Sequence, residues 1–105
     1  MLVYIQLAEI AEHKQQRIGR DRFLVLAGAA ACRAGYLEIA EQCSAIIKQN
    51  NPLHFLLRYQ SFPVALRDDD FSHFLQQLEK NYNFERAEYM LSEASPNAEI
   101  GRAHV

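Results

Sequence analysis

Three consecutive aspartates, Asp68 to Asp70, bring together more carboxylate oxygens than any other run in the sequence. Carboxylate oxygens bind Mg²⁺ and Ca²⁺, but aspartates also cap helices and stabilise their positive N-terminal ends. An apolar pattern that includes Phe71 and Phe74 follows directly, and the later glycine and glutamate of a calcium-binding loop are absent. The triplet therefore predicts the start of a helix, and we expect neither a metal nor another cofactor.

The histidines are the next candidates for chemistry. His13 with Lys14 beside it resembles the phosphoacceptor face of a histidine phosphotransfer domain, in which a cation neutralises the phosphoryl oxygens. That resemblance implies a Lys-Gly pair shortly after the histidine, whereas Gln15-Gln16-Arg17 follows here. His54 and His73 have no metal-ligand spacing. We interpret all three histidines as surface residues.

The two cysteines, Cys32 and Cys43, form no metal-ligand or redox motif, and we expect two free, buried thiols. The sequence contains no nucleophile elbow, phosphate-binding loop or dinucleotide fingerprint. The sequence alone does not exclude a catalytic triad of a cysteine, a histidine and an acidic residue. A small enzyme or a histidine phosphotransfer domain is therefore the alternative to the non-catalytic protein that we expect.

Lys14, Arg17, Arg20 and Arg22 form the one local cluster of basic residues. They lie near the end of a predicted helix, whose dipole favours cations, and we interpret them as solvated, with docking of an acidic partner as the alternative. Over the whole chain, 11 lysines and arginines stand against 13 aspartates and glutamates, a formal net charge of -2. Because nucleic-acid-binding domains need a strongly basic surface, we expect no nucleic-acid partner.

The chain has 105 residues, of which 50% are hydrophobic and 23% are charged. This length fits one small domain with its own core. The longest apolar run, from Phe23 to Cys32, is about half the ~20 residues of a membrane-spanning helix, and Arg33 follows it at once. The N-terminal segment lacks the features of a signal peptide. We therefore expect a soluble, cytoplasmic protein with no membrane partner.

Apolar residues recur at helical rather than alternating spacing along most of the chain. The pattern predicts an all-α fold, a compact bundle of about five to six helices in a single domain over residues 1–94, with a disordered tail over 95–105. We expect Gly19 to end the first helix, Asp21 to cap the second and Asn83 to cap the last. The predicted helices cover residues 2–17, 22–34, 36–49, 53–59, 64–66, 71–82 and 84–93.

Leu24, Gly28, Gly35, Ala40 and Pro52 have the mutual spacing of a large apolar residue, three small residues and a closing proline. This segment resembles one tetratricopeptide repeat, and the chain as a whole resembles small helical proteins of bacteria. The resemblance implies an antiparallel helical hairpin from Leu24 to Pro52, on which the bundle is built. Gly28 and Ala40 would let the two helices approach closely, and Gly35 would make the turn between them.

The family binds extended peptides in a groove along its first helices, and the resemblance places Arg22 and Arg33 here as partner-binding residues beside that groove. We therefore expect a non-catalytic protein–protein interaction or scaffold module whose partner is another protein, with homo-oligomers possible. Most of the groove is an apolar strip, Val25, Leu26 and Ala29, that would be unfavourable in water. We expect the second half to cover it with Phe71, Phe74, Leu75 and Leu78.

The end of the chain has a separate resemblance. Residues 100–105 read Ile-Gly-Arg-Ala-His-Val, which resembles the translation of a common short-read sequencing adapter whose next triplet is a stop codon. The resemblance implies that these residues are adapter read-through on an assembled environmental sequence and that the native C-terminus is unknown. Without residues 99–105, 10 basic residues stand against 12 acidic ones, so the net charge is still -2.

Overall fold

The computed structural model describes residues 1–94, which form six α-helices and one 3-10 helix and contain no β-strand. The prediction of a small all-α bundle is confirmed. The predicted tail over 95–105, with the adapter-like residues 100–105, lies outside the described residues. The helices are α1 (Leu2–His13), α2 (Arg17–Arg33), α3 (Leu37–Asn50), the 3-10 helix (Phe55–Arg58), α4 (Phe62–Leu66), α5 (Asp69–Asn81) and α6 (Phe84–Ala94).

α2 and α3 form a helical hairpin, and Gly35 makes the turn between them as expected. The φ of Gly35 is +88°, a left-handed conformation that glycine adopts without steric cost. The Tyr36 N–H donates to the Ala31 carbonyl at 2.8 Å and the Gly35 N–H to the Cys32 carbonyl at 3.1 Å, the Schellman arrangement that ends many helices. The hairpin is thus a feature of the fold, and the tetratricopeptide resemblance stays a prediction.

α1 ends in a turn of the same design, which the sequence pattern did not predict. Gln15 takes the left-handed position with a φ of 60°, and the Gln16 N–H donates to the Ala11 carbonyl at 2.8 Å. α1 therefore ends at His13, four residues earlier than predicted, and Gly19 lies inside α2. The prediction was wrong because a glutamine in this conformation leaves no compositional signal.

α2 is the central helix, and it packs against α1, α3, α4 and α5. It begins at Arg17 rather than at residue 22, so Asp21 lies within the helix and does not cap it. Even this apolar helix is too short or too polar to span a bilayer, and the same holds for every other helix within residues 1–94. Because short turns join α1 to α2 and α2 to α3, consecutive helices are antiparallel, and α1 and α3 run in the same direction.

Side-chain caps start the last two helices, as the sequence predicted. Asp68 accepts a hydrogen bond from the Phe71 N–H at 3.0 Å at the start of α5, and Asn83 accepts one from the Arg86 N–H at 2.9 Å at the start of α6. The Tyr59 hydroxyl also donates to the Asp68 carboxylate, at 2.6 Å. This hydrogen bond raises the pKa of Tyr59 to about 12 and ties the end of the 3-10 helix to α5.

Aromatic rings fill the space between the 3-10 helix and α5. The centroid of the Phe55 ring lies 5.8 Å from that of Tyr59, 5.7 Å from that of Phe71 and 5.6 Å from that of Phe74. Phe71 is fully buried, whereas Phe74 is only half-buried, which is less than expected. The second half therefore has an aromatic core of its own, continuous with the aliphatic core of the first three helices.

The apolar strip of α2 is buried, as expected. Val25, Leu26 and Ala29 are 0%, 2% and 1% exposed, and α4 and α5 both pack on α2. A Cβ atom added to Gly28 would overlap the ring of Phe62 in α4, whose atoms are the nearest to it. The close approach at Gly28 is therefore to α4, and not to the second helix of the hairpin as expected.

Candidate functional site

The side of α2 away from the buried strip is open. A groove of about 330 Å³ lies between α1 and α3, with α2 as its floor, and we name it the α1–α3 groove. Its apolar lining consists of Ile5 and Ala8 of α1, Leu24 of α2 and Ile46 of α3. Ile46 is 41% exposed, so the wall formed by α3 presents apolar surface to solvent. The volume lies at the lower end of the range of ligand sites in proteins.

The polar lining of the groove lies toward one end. Each polar residue is four positions from an apolar one on the same helix, and four residues of α-helix span about 6 Å. Because α1 and α3 run in the same direction and α2 runs in the opposite one, the polar members of all the pairs lie at the same end. The pairs are Ile5 and Glu9, Ala8 and Glu12, Leu24 and Arg20, and Ile46 and Asn50.

Arg20 occupies the polar end of the groove floor and is held by two carboxylates. Its Nη1 donates to Glu12 Oε2 at 2.5 Å, and its Nε donates to Asp21 Oδ1 at 3.1 Å. Arg20 is 5% exposed and Asp21 is 6% exposed, whereas Glu12 is exposed. The contact joins α1 to α2 and keeps a buried guanidinium paired, as buried charges require.

The electrostatics of this group keep Arg20 charged. Burial lowers the pKa of Arg20, but the hydrogen bonds to Glu12 and Asp21 outweigh burial, and the pKa is raised above its ordinary value. Two carboxylates thus face one guanidinium. Glu9 adds a further carboxylate to the lining and makes no ion pair with any residue of 1–94. The polar end of the groove therefore carries more negative than positive charge.

This arrangement corrects the interpretation of the basic cluster. Lys14, Arg17 and Arg22 are exposed, but Arg20 is buried and paired inside the fold. Sequence reasoning missed the contact of Glu12 with Arg20 because it continued the first helix to residue 17 and placed Arg20 in the connection before the second helix, whereas α1 ends at His13 and Arg20 lies in α2. A signal was available, since Arg20 shares a face of α2 with apolar residues at helical spacing: Leu24, Ala27 and Ala31.

His54 also differs from its prediction as a surface residue. Its Nδ1 accepts a hydrogen bond from the Leu56 N–H at 3.0 Å, and the ring lies 6.4 Å from that of Phe74. Burial lowers the pKa of His54, and the negative charge of Asp21 partly opposes that effect. His54 is thus a neutral, half-buried cap of the 3-10 helix. His13 and His73 are exposed, as expected.

The residues predicted to bind a partner, Arg22 and Arg33, are both exposed on α2. Neither belongs to the lining of the α1–α3 groove. Arg33 Nη1 donates to Glu79 Oε2 at 2.6 Å, which ties the end of α2 to α5. The strip that was to form their groove is covered, so the two residues flank closed surface, and their role in partner binding stays a prediction.

A second cavity, of about 380 Å³, lies on the other side of α3, against the start of α4. Its lining includes Leu37 and Lys48 of α3 and Phe62 of α4. The exposed Leu37 gives this cavity an apolar rim. α3 therefore has an apolar depression on each side, and the two can be distinguished by substitutions at Leu37 and Ile46.

The thiols are both free, and Cys43 is buried as expected, whereas Cys32 is only half-buried. Burial raises the pKa of Cys43, which makes it a poor nucleophile at neutral pH. Within residues 1–94 no group of three or more histidine, cysteine, aspartate or glutamate side chains is placed to hold a metal ion.

The fold and its open groove define the protein as a small all-α bundle. Comparison with protein-family models gives no match, and comparisons with curated proteins and with solved structures give none either.

Proposed function

We propose that this protein is a non-catalytic helical module that binds a segment of another protein in the α1–α3 groove. The observation that carries the proposal is the open, largely apolar groove on three packed helices, with the exposed Ile46 in its wall. Docking of an amphipathic segment in such a groove is a common mode of peptide recognition. The tetratricopeptide resemblance also implies peptide binding, although it places the peptide on the side of α2 where Val25, Leu26 and Ala29 are buried.

The charges at the groove favour binding over catalysis. A general acid or base needs a pKa near the working pH, and the pKa of Arg20 is instead raised by its carboxylate partners. His13, the residue behind the phosphotransfer alternative, is exposed at the end of α1 outside the groove lining. The two free cysteines agree with a reducing cytoplasm, which we propose as the compartment.

Selection from a library of random short peptides tests this function. The selected peptides are then measured by fluorescence anisotropy against the wild type and against two variants matched in chemistry, Ile46→Glu and Leu37→Glu. Both side chains are exposed and both lie on α3, so both variants should fold, which thermal melts would check. Only Ile46 lines the α1–α3 groove. We expect Ile46→Glu to weaken binding about tenfold or more, because a buried aliphatic contact contributes at least ~1.4 kcal/mol.

Other outcomes would count against the proposed site. Peptides that lose affinity only with Leu37→Glu would move the function to the second cavity. Peptides that respond instead to Arg22→Glu or Arg33→Gln would place it on the side of α2 that the sequence predicted. A library that yields no binder would contradict peptide binding. Concentration-dependent dimerisation that Ile46→Glu abolishes would instead make a second copy of this chain the occupant of the groove.

A further inference from the structure

The geometry points to a particular chemistry for the occupant of the α1–α3 groove: a protein segment with an aliphatic side chain and a lysine or arginine about one helical turn apart. This inference rests on the proposed function and specifies its partner. The aliphatic side chain would enter the apolar end, between Ile5 and Ile46, and the cation would lie at the polar end beside Glu9 and Glu12.

The spacing follows from the pairs that line the groove. On each of the three helices, an apolar residue and a polar residue are four positions apart, which corresponds to about 6 Å along the axis. A helical ligand reproduces this distance with residues i and i+4, and i and i+3 are also neighbours on one face. An amphipathic helix therefore fits both ends of the groove at once.

The choice of a cation follows from the hydrogen-bonding groups that are left at the polar end. Glu12 uses one carboxylate oxygen for Arg20, and Glu9 has no ion-pair partner within residues 1–94. Asn50 donates its Nδ2 to the Ile46 carbonyl at 2.9 Å, which leaves its side-chain oxygen as an acceptor. Lysine and arginine side chains are donors only, so they match this set of acceptors.

Arg20 does not reverse this preference. Its charge is offset by Glu12 and by the buried Asp21, and both of these contacts are part of the fold. Arg17, one turn earlier on α2, is exposed and is not part of the lining. Of the charged side chains that line the groove, Glu9 alone makes no ion pair with another described residue. Its negative charge therefore favours a ligand that carries a positive charge at this end.

The test repeats the peptide selection on the wild type, on Glu9→Lys and on Glu88→Lys. Glu88 is exposed on α6 outside the groove lining, so its reversal changes the net charge equally without changing the groove. We expect peptides from the wild type and from Glu88→Lys to be enriched in Leu, Ile or Val followed by Lys or Arg three or four positions later. Peptides from Glu9→Lys should carry Glu or Asp there instead.

Affinity measurements sharpen the result. Replacement of the enriched Lys or Arg by Gln should weaken binding to the wild type about threefold to tenfold, and the difference should shrink in about 1 M salt, because exposed charges are then screened. Peptides that depend on Ile46 but show no cation preference, or whose preference survives in Glu9→Lys, would overturn this inference and leave the proposed function intact. Peptides that do not depend on Ile46 would overturn the proposed function first.

Discussion

The two sides of α2 differ in what the rest of the chain places on them. On one side, Val25, Leu26 and Ala29 are buried, and α4 and α5 both pack on α2. On the other side, Leu24 and Arg20 form the floor of a groove that α1 and α3 border but do not close. The aromatic second half thus completes the core on the first side. The incomplete cover of the second side leaves apolar surface exposed, including the side chain of Ile46.

The covered side should be the more sensitive to loss of volume. Phe71 is fully buried among Phe55, Tyr59 and Phe74, so Phe71→Ala should lower the free energy of unfolding by about 3–5 kcal/mol. Phe74 is half-buried, and Phe74→Ala should cost about 2 kcal/mol. Urea unfolding of the two variants measures the difference. Equal costs would mean that the second half does not pack as described.

The open side should be sensitive to loss of charge pairing instead. Arg20→Met removes the partner of the buried Asp21 carboxylate, and an unpaired buried charge costs about 3 kcal/mol. Part of the loss should return in Arg20→Met with Asp21→Asn, because no charge is then left buried. Arg22→Met on the exposed surface should stay within about 0.5 kcal/mol of the wild type. Chemical denaturation measures these variants together with Asp21→Asn, and additive effects of Arg20→Met and Asp21→Asn in the double-mutant cycle would contradict the pairing.

Two glycines of α2 separate close packing from helix propensity. Gly28→Ala should destabilise the fold by about 1–3 kcal/mol, because its Cβ overlaps the Phe62 ring. Gly19→Ala meets open space in the same helix and should stabilise the fold by about 0.5–1 kcal/mol. Thermal melts measure both changes. The Gly28→Ala penalty should shrink in a Phe62→Leu background, and a penalty that persists there would assign the contact to another neighbour.

His54 gives the fold a dependence on pH with a defined sign. Burial lowers its pKa in the folded state, so the unfolded chain binds more protons once the pH falls below the ordinary value of 6.5. The stability that neutral His54 contributes is therefore present above that value and is lost as the pH falls toward the folded-state pKa. His54→Asn keeps a capping acceptor without the titration. Its unfolding free energy should fall less between about pH 7 and pH 5 than that of the wild type or of His73→Asn.

The sequence predicted most of the fold but not the open groove. Apolar periodicity and caps such as Asp68 and Asn83 are local signals, and these elements were predicted close to where they lie. The groove depends on where α1 ends. A helix continued to residue 17 hides the contact of Glu12 with Arg20, because that contact forms only when the chain reverses between them. One unrecognised turn therefore concealed the candidate site.

That turn offers the smallest and most direct test, since Gln15 and Gly35 occupy the same position of two Schellman turns. A left-handed φ is strained for glutamine and free for glycine. Gln15→Gly should therefore raise the free energy of unfolding by about 0.5–1 kcal/mol, the relief of strain being partly offset by the greater freedom of glycine in the unfolded chain. The matched exchange, Gly35→Gln, should lower it by about 1 kcal/mol. In thermal melts these changes correspond to a few degrees of opposite sign. If Gln15→Gly melts at or below the wild-type temperature while Gly35→Gln is destabilised, the two turns are not equivalent, and the start of α2 that brings Arg20 into the groove would have to be revised.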